Sequence, residues 1–223
     1  MNGPRTRSPG IGRVVGGLAL SLSLVACSSD SWKEEVLLHD GQKIIVERSQ
    51  TYKGNSMIGQ PTPVGKHTIR FKLPGSDKQI SWTSEFDEDL GRTNFKLVAL
   101  HVLKDTPFLV VVPNLCLAYY KWGRPNPPYV VFRYDGNNWV RAGLGDLPVE
   151  FKTVNMVINN QGEARILASE GLVSTEFVQK LNGELEQPEY KAILREPMHS
   201  GLCPHYSSSS KAPIPVPSAS SPK

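Results

Sequence analysis

Apolar and polar residues alternate along much of the middle of the chain, and this pattern predicts β-strands. Every second residue of the run 68–73 is apolar. After a Pro-Gly turn the alternation resumes over 79–86, with Ile80 and Trp82 on one side. Two alternating runs joined by a tight turn are typical of a hairpin with one buried face.

Further pairs of apolar runs flank short polar turns. The pairs are 36–38 with 43–47, 95–103 with 108–112, 129–134 with 139–141 and, more weakly, 154–158 with 164–167. The runs 95–103 and 108–112 are apolar on both faces, so we expect them in the centre of a sheet. The pattern predicts a mainly β fold, an antiparallel meander of hairpins that forms a sandwich or an open barrel.

Helix signals are confined to the C-terminal part. Ser174 suits the N-cap of a helix that runs through Leu181, and Gly183 follows it. Pro188 opens a second short candidate that runs through Arg195. We therefore expect one or two short C-terminal helices.

The N-terminus has a different character from the rest of the chain. Three arginines precede an apolar run of thirteen residues, 14–26, which is too short to span a bilayer. The run ends in Leu24-Val25-Ala26-Cys27, which resembles the lipobox of bacterial lipoproteins. The resemblance implies a signal peptide over 1–26, cleavage before Cys27 and acylation of its thiol. Ser28, and not an Asp, comes directly after Cys27, and in enteric lipoproteins this implies an outer-membrane anchor that faces the periplasm.

The body also resembles known sequences, in the phrases 32–41 and 121–129. Both are similar to uncharacterised proteobacterial lipoproteins, and this resemblance carries no activity. The expected organisation is a lipidated tether over 27–31, a single β-rich domain over 32–206 and a disordered Ser/Pro-rich tail over 207–223.

Charge excludes one class of partner. The whole chain has a formal net charge of +4, from 25 basic and 21 acidic residues. Three of the basic residues are arginines of the expected signal peptide. The mature chain would therefore have 22 basic and 21 acidic residues, a net charge of +1. A nearly neutral body is not typical of a nucleic-acid-binding protein, so we expect none bound.

Two cysteines remain after Cys27. In an oxidising compartment we expect Cys116 and Cys203 to form a disulfide; the alternative is two free buried thiols. His199, Cys203 and His205 have types and a spacing that suit a soft metal ion, but the disulfide competes for Cys203. We predict no metal site and no cofactor.

No catalytic motif stands out, so no catalytic residue is predicted. His101 lies in an apolar run and is expected to be a hydrogen-bonded core histidine. The acidic cluster 87–89 lacks the ligand spacing of a calcium loop and is expected to be a solvated turn.

The segment from Tyr119 to Tyr129 is the candidate binding site. Its three prolines favour an extended backbone, and its composition matches that of binding hot spots. The candidate residues are Tyr119, Tyr120, Trp122, Arg124 and Tyr129. The alternative is a rigid crossover whose rings close the end of the barrel.

These observations leave two classes of function. The first is a lipid-anchored, non-enzymatic binding or structural module, held on the membrane by Cys27, with an envelope protein or a cell-wall component as its partner. The second is a small envelope hydrolase whose site is assembled from separate strands.

Overall fold

The structure is a computed structural model that describes residue 3 and residues 29–56, 58–158 and 171–203. These described residues are mainly β, with antiparallel sheets and two short α-helices. The strands are β1 (Ser29–Leu37), β2 (Lys43–Tyr52), β3 (Val64–Lys72), β4 (Gln79–Thr83), β5 (Phe86–Asp87), β6 (Arg92–Thr93), β7 (Phe95–Leu103), β8 (Thr106–Pro113), β9 (Val130–Tyr134), β10 (Trp139–Ala142) and β11 (Leu172–Val173). The helices are α1 (Leu115–Lys121) and α2 (Thr175–Gly183).

The first sheet has the order β11-β1-β2-β3-β4, in which only β11 pairs in parallel. The predicted hairpins β1–β2 and β3–β4 are both present. Each turn contains a glycine with positive φ, Gly41 at 86° and Gly75 at 70°, a conformation that other residues adopt only with strain. In the β3–β4 hairpin Phe71 lies opposite Ile80, so their apolar side chains share the buried face.

The second sheet has the order β10-β9-β8-β7 and is antiparallel throughout. The apolar faces of the two sheets pack together as a sandwich. Val46, Ile69 and Trp82 of the first sheet share one core cluster with Leu97, Leu109 and Phe132 of the second. The predicted fold class is confirmed.

The second sheet is also covered on its outer face. The residues there form a separate core cluster with irregular chain, including Leu147, Phe151, Tyr190 and Ile193. This covering layer explains why β7 and β8 are apolar on both faces. The prediction that both runs lie centrally was wrong for β7, which is an edge strand buried by the irregular chain.

A β-bulge between Leu97 and Ala99 reverses the phase of β7. Phe95 and Leu97 face the first sheet, whereas Ala99 belongs to the outer cluster and His101 stacks on Phe151 in that layer. Strict alternation along the whole run would have placed all four residues on one face of the strand. The extra residue of a bulge changes which face later residues occupy.

The helix predictions had mixed outcomes. The helix capped by Ser174 is present as α2, and the Ser174 hydroxyl accepts a hydrogen bond from the Phe177 amide at 3.3 Å. The second candidate is only a single 3₁₀ turn, Pro188–Tyr190. Among the described residues, no helix has the length and apolar character needed to cross a membrane.

Two other boundaries differ from expectation. The first strand begins at Ser29, inside the predicted tether. The run 154–158 is not a strand, although the neighbouring Thr153 makes an isolated bridge with Ala192, and its expected partner 164–167 lies outside the described residues.

Candidate binding surface

The predicted binding segment lies at one end of the sandwich. It belongs to the connection between Pro113, the last residue of β8, and Val130, the first residue of β9, and this connection begins with α1. The side chain of Lys121 in α1 donates a hydrogen bond to Asp87 in the β5–β6 hairpin. The neighbouring Glu88 pairs with Lys53 of the β2–β3 loop at 2.9 Å. We call α1, this hairpin, the loop 53–63 and the start of β1 the α1 end.

The α1 helix was not predicted, because the segment was expected to be extended. A disulfide between Cys116 and Cys203 fixes this helix to the C-terminal segment, with the two Cα atoms 5.6 Å apart. The predicted pairing of these cysteines is therefore present in the structure. The helix ends at Lys121 with Trp122 as its C-cap, after which Gly123 adopts a positive φ of 86° and Pro125 prevents continuation.

Trp122 closes the end of the sandwich core. Its ring lies 4.6 Å from the ring of Phe95 and 6.3 Å from that of Phe132, measured between centroids. The guanidinium of Arg141 covers the ring at 5.4 Å. Only 9% of the residue is exposed, as expected for a ring that plugs the core.

Tyr119 and Tyr129 are buried as well, each 4% exposed. The Tyr129 hydroxyl lies 2.9 Å from the carbonyl oxygen of Glu189 and 3.0 Å from that of Ala192, and burial raises its pKa to about 12. Tyr120 is half-buried and Arg124 is exposed, with its guanidinium 4.7 Å from the Tyr120 ring. Of the five candidate residues, only these last two reach the surface appreciably. A binding role for the set remains a prediction.

Next to these residues the prolines line an open groove of about 440 Å³. Its walls are the segment 125–130, with Pro125, Pro127 and Tyr129, and the segment 141–144, which includes the end of β10. β10 is the last strand of its sheet. The Asn126 side chain holds the loop in place, donating to the Met198 carbonyl at 2.9 Å and accepting from the Met198 amide at 2.7 Å. The groove is therefore preformed.

The other residues considered for chemistry have structural roles. His101 is fully buried, stacks on Phe151 at 4.7 Å and lies 2.9 Å from the Thr153 carbonyl oxygen through Nε2. Burial lowers the pKa of His101 to about 4. This agrees with the expected core histidine.

Neither candidate ion site gains support. Cys203 is in the disulfide and His205 lies outside the described residues, within which no group of three metal-ligating side chains occurs.

In the acidic cluster 87–89, Asp87 is buried, and burial alone would raise its pKa. Hydrogen bonds from Lys121 and the Leu90 amide outweigh this effect and lower the pKa. Asp87 thus differs from the expected solvated turn.

The sequence analysis missed a buried ion pair in the first sheet. Arg48 Nη1 lies 3.2 Å from Glu34 Oε2 and donates to the Val157 carbonyl at 2.7 Å. Trp32 Nε1 donates to the same carboxylate at 3.0 Å. Burial raises the pKa of Glu34, and Arg48 opposes that rise. The sequence contained a signal for this ion pair, because the alternation of β1 places Glu34 on the same face of the strand as Trp32 and Val36.

A larger cleft of about 680 Å³ lies between Lys96 and residues 187–202. Burial lowers the pKa of the Lys96 ammonium, which lies 5.6 Å from the Tyr190 ring, and the charge of Glu189 opposes this shift. An amine with a lowered pKa is a feature of some catalytic sites. The cleft is lined by one strand, β7, and the C-terminal segment, so it differs from the site assembled from separate strands in the hydrolase alternative.

Comparison with known proteins gives no further assignment. The chain matches no protein-family model, no curated protein and no solved structure. The function is therefore argued from the residues of this chain.

The plug geometry of Trp122 leads to a direct prediction. Trp122→Ala leaves a cavity against Phe95 and Phe132, so we expect the free energy of unfolding to fall by about 3–5 kcal/mol. The matched control is Leu117→Ala in the neighbouring helix, where the side chain is 62% exposed and the change should stay within about 0.5 kcal/mol. Urea unfolding measures both values. Equal stabilities for Trp122→Ala and the wild type would contradict the plug.

Proposed function

We propose that the chain is a lipid-anchored protein of the bacterial cell envelope. The support lies in the first 27 residues, where a basic segment, a short apolar run and the Leu-Val-Ala-Cys motif occur in the order of a lipoprotein signal. The Cys116–Cys203 disulfide fits an oxidising compartment such as the periplasm. We place the anchor in the outer membrane, with the domain facing the periplasm.

We propose further that the domain is a non-enzymatic binding module and that the groove of 440 Å³ is its contact surface. One observation carries this proposal: the groove lies between the loop that leads into β9 and the end of β10, and Pro125, Pro127 and Tyr129 line it. Grooves lined by aromatic side chains bind extended peptide segments. The partner we favour is thus an extended segment of an envelope protein rather than a cell-wall polymer.

The groove is rigid enough to bind without reordering. The disulfide fixes the helix α1, which precedes the groove loop, and the two Asn126 hydrogen bonds fix the loop itself. The Arg141 guanidinium, from the other wall of the groove, lies 3.5 Å from the Trp122 carbonyl oxygen. A preformed site loses less conformational entropy on binding than a flexible one.

Photo-crosslinking in intact cells tests the groove. We expect a photoreactive residue at Leu144, which lines the groove, to capture one defined envelope protein. The same residue at Lys180, on the exposed face of α2, should not capture it. Adding Ala142→Arg, which places a long side chain in the groove, should abolish the Leu144 product. A product that persists in that variant, or that forms equally from Lys180, would contradict the proposed contact surface.

A further inference from the structure

The first strand begins very close to the proposed lipid anchor, and this inference rests on acylation of Cys27. Ser29, the first residue of β1, is two residues after Cys27. Two residues of fully extended chain span at most about 7 Å. The polar interfacial layer of a bilayer is itself about 5–7 Å thick on each side. The domain therefore meets the membrane surface without a flexible spacer.

Strand register decides which part of the domain faces the lipid. Ser29 pairs with Thr51 near the end of β2, and Tyr52 pairs with Val64 at the start of β3. The loop 53–63 consequently leaves the first sheet at the same end as Ser29. A hydrogen bond of 2.5 Å from the Tyr52 hydroxyl to Asp30 ties the two strands together there.

That loop carries an exposed apolar side chain on a fixed base. Ile58, halfway along the loop, is 106% exposed. The base is held by the Lys53–Glu88 ion pair and by Gly54, whose position leaves no room for a Cβ because one would lie 2.4 Å from the Gly91 carbonyl oxygen.

The α1 helix brings two further apolar side chains to the same end. Lys121 at the end of α1 bonds to Asp87, in the hairpin that also contacts Lys53. Leu115 and Leu117 flank the disulfide cysteine and are 55% and 62% exposed. Of the six large hydrophobic residues that are exposed in the described part of the chain, these two and Ile58 lie at the α1 end.

The charges at this end do not indicate an electrostatic contact. Lys53 is paired with Glu88 and Lys121 with Asp87, so basic and acidic groups largely balance. Anionic lipids attract surfaces with an excess of basic residues, which this end lacks. The contact that these residues favour is therefore apolar insertion.

We propose that Ile58, Leu115 and Leu117 insert into the lipid interface beside the acyl chains of Cys27. The domain then has two fixed attachments, and its orientation on the membrane is set. The groove between the segments 125–130 and 141–144 starts at the α1 end, so its partner is met close to the membrane surface.

Fluorescence of the mature full chain, purified from the membranes of its native host, in phosphatidylcholine vesicles tests this proposal. A nitrobenzoxadiazole label is attached to a cysteine introduced by Ile58→Cys or Leu117→Cys, with the native disulfide intact. The control is Asp77→Cys in the β3–β4 turn, at the opposite end of the sandwich. We expect blue-shifted emission and quenching by nitroxide-labelled lipids at positions 58 and 117, and neither effect at position 77. The same result is expected in high salt and with added phosphatidylglycerol.

Each contrary outcome identifies which proposal fails. Protein that does not float with the vesicles refutes the acylated anchor itself. Protein that floats while positions 58 and 117 remain as aqueous as position 77 overturns the insertion and leaves the anchor intact. A blue shift without lipid quenching means that protein covers these residues, which also overturns the insertion. Dependence on anionic lipid and low salt would replace insertion by an electrostatic contact.

Discussion

Replacement of Arg48 by methionine is expected to lower the free energy of unfolding by about 3–5 kcal/mol, because it leaves the carboxylate of Glu34 without its ionic partner. Glu34 is fully buried, and the side chains of the pair are 0% and 1% exposed. The substitution also removes the hydrogen bond to the Val157 carbonyl and the stacking of the guanidinium over Trp32 at 4.8 Å. Urea unfolding at neutral pH measures the loss.

The double variant Glu34→Gln with Arg48→Met is the matched control. It removes both charges, so we expect it to recover much of the stability that the single variant loses. A double variant no more stable than the single one would show that the buried charge is not the cause.

The pH dependence of the same variant gives a second test. Burial already raises the pKa of Glu34 above its usual value of 4.5, and loss of Arg48 raises it further. A carboxyl group with a raised folded-state pKa binds a proton more readily in the folded state. The free energy of unfolding then falls as the pH rises from the pKa of Glu34 in the unfolded state through its pKa in the folded state. The deficit of Arg48→Met should therefore be greatest at neutral pH and shrink towards pH 4.5.

Removal of the disulfide by Cys116→Ala with Cys203→Ala is the second large effect. The bond closes a loop with a sequence separation of 87 residues, and chain entropy then gives a loss of about 4–5 kcal/mol as an upper value. Unfolding of the wild type with and without reductant should reproduce the difference. Non-reducing peptide mapping is the control, since two alkylatable thiols in oxidised periplasmic protein would contradict the bond.

The hairpin turns and the alternating strands could be predicted from the sequence, because they depend on residues that are neighbours in the chain. Asp40-Gly41 and Pro74-Gly75 provide the positive φ at the turns, and period-two alternation determines which face of β3 and β4 is buried. These local signals sufficed for the mainly antiparallel β fold.

Tertiary contacts determined the features that the sequence did not predict. The position of β7 at a sheet edge depends on a covering layer built from residues such as Phe151 and Tyr190, distant in sequence. The α1 helix has seven residues, too few to be stable alone, and the disulfide to Cys203 holds it in place.

The candidate binding segment shows a different limit. A short run rich in aromatic residues has the same composition whether its rings face a partner or the core, so Trp122 and Tyr129 suited either interpretation. Only the positions of Phe95, Phe132 and the carbonyl group of Glu189 show that both residues are buried. The groove at the end of β10 could not be predicted from the sequence, because its walls come from two segments that are separate in the chain.

Mass spectrometry of the mature protein from the membrane fraction of its native host tests the central claim most directly. We expect the chain to begin at Cys27 and to carry acyl chains on that residue. Cys27→Ser should accumulate as an uncleaved, unacylated precursor, because transfer of the lipid requires the thiol. A mature wild-type chain that begins at another residue and carries no lipid would contradict the membrane anchor on which the proposed function rests.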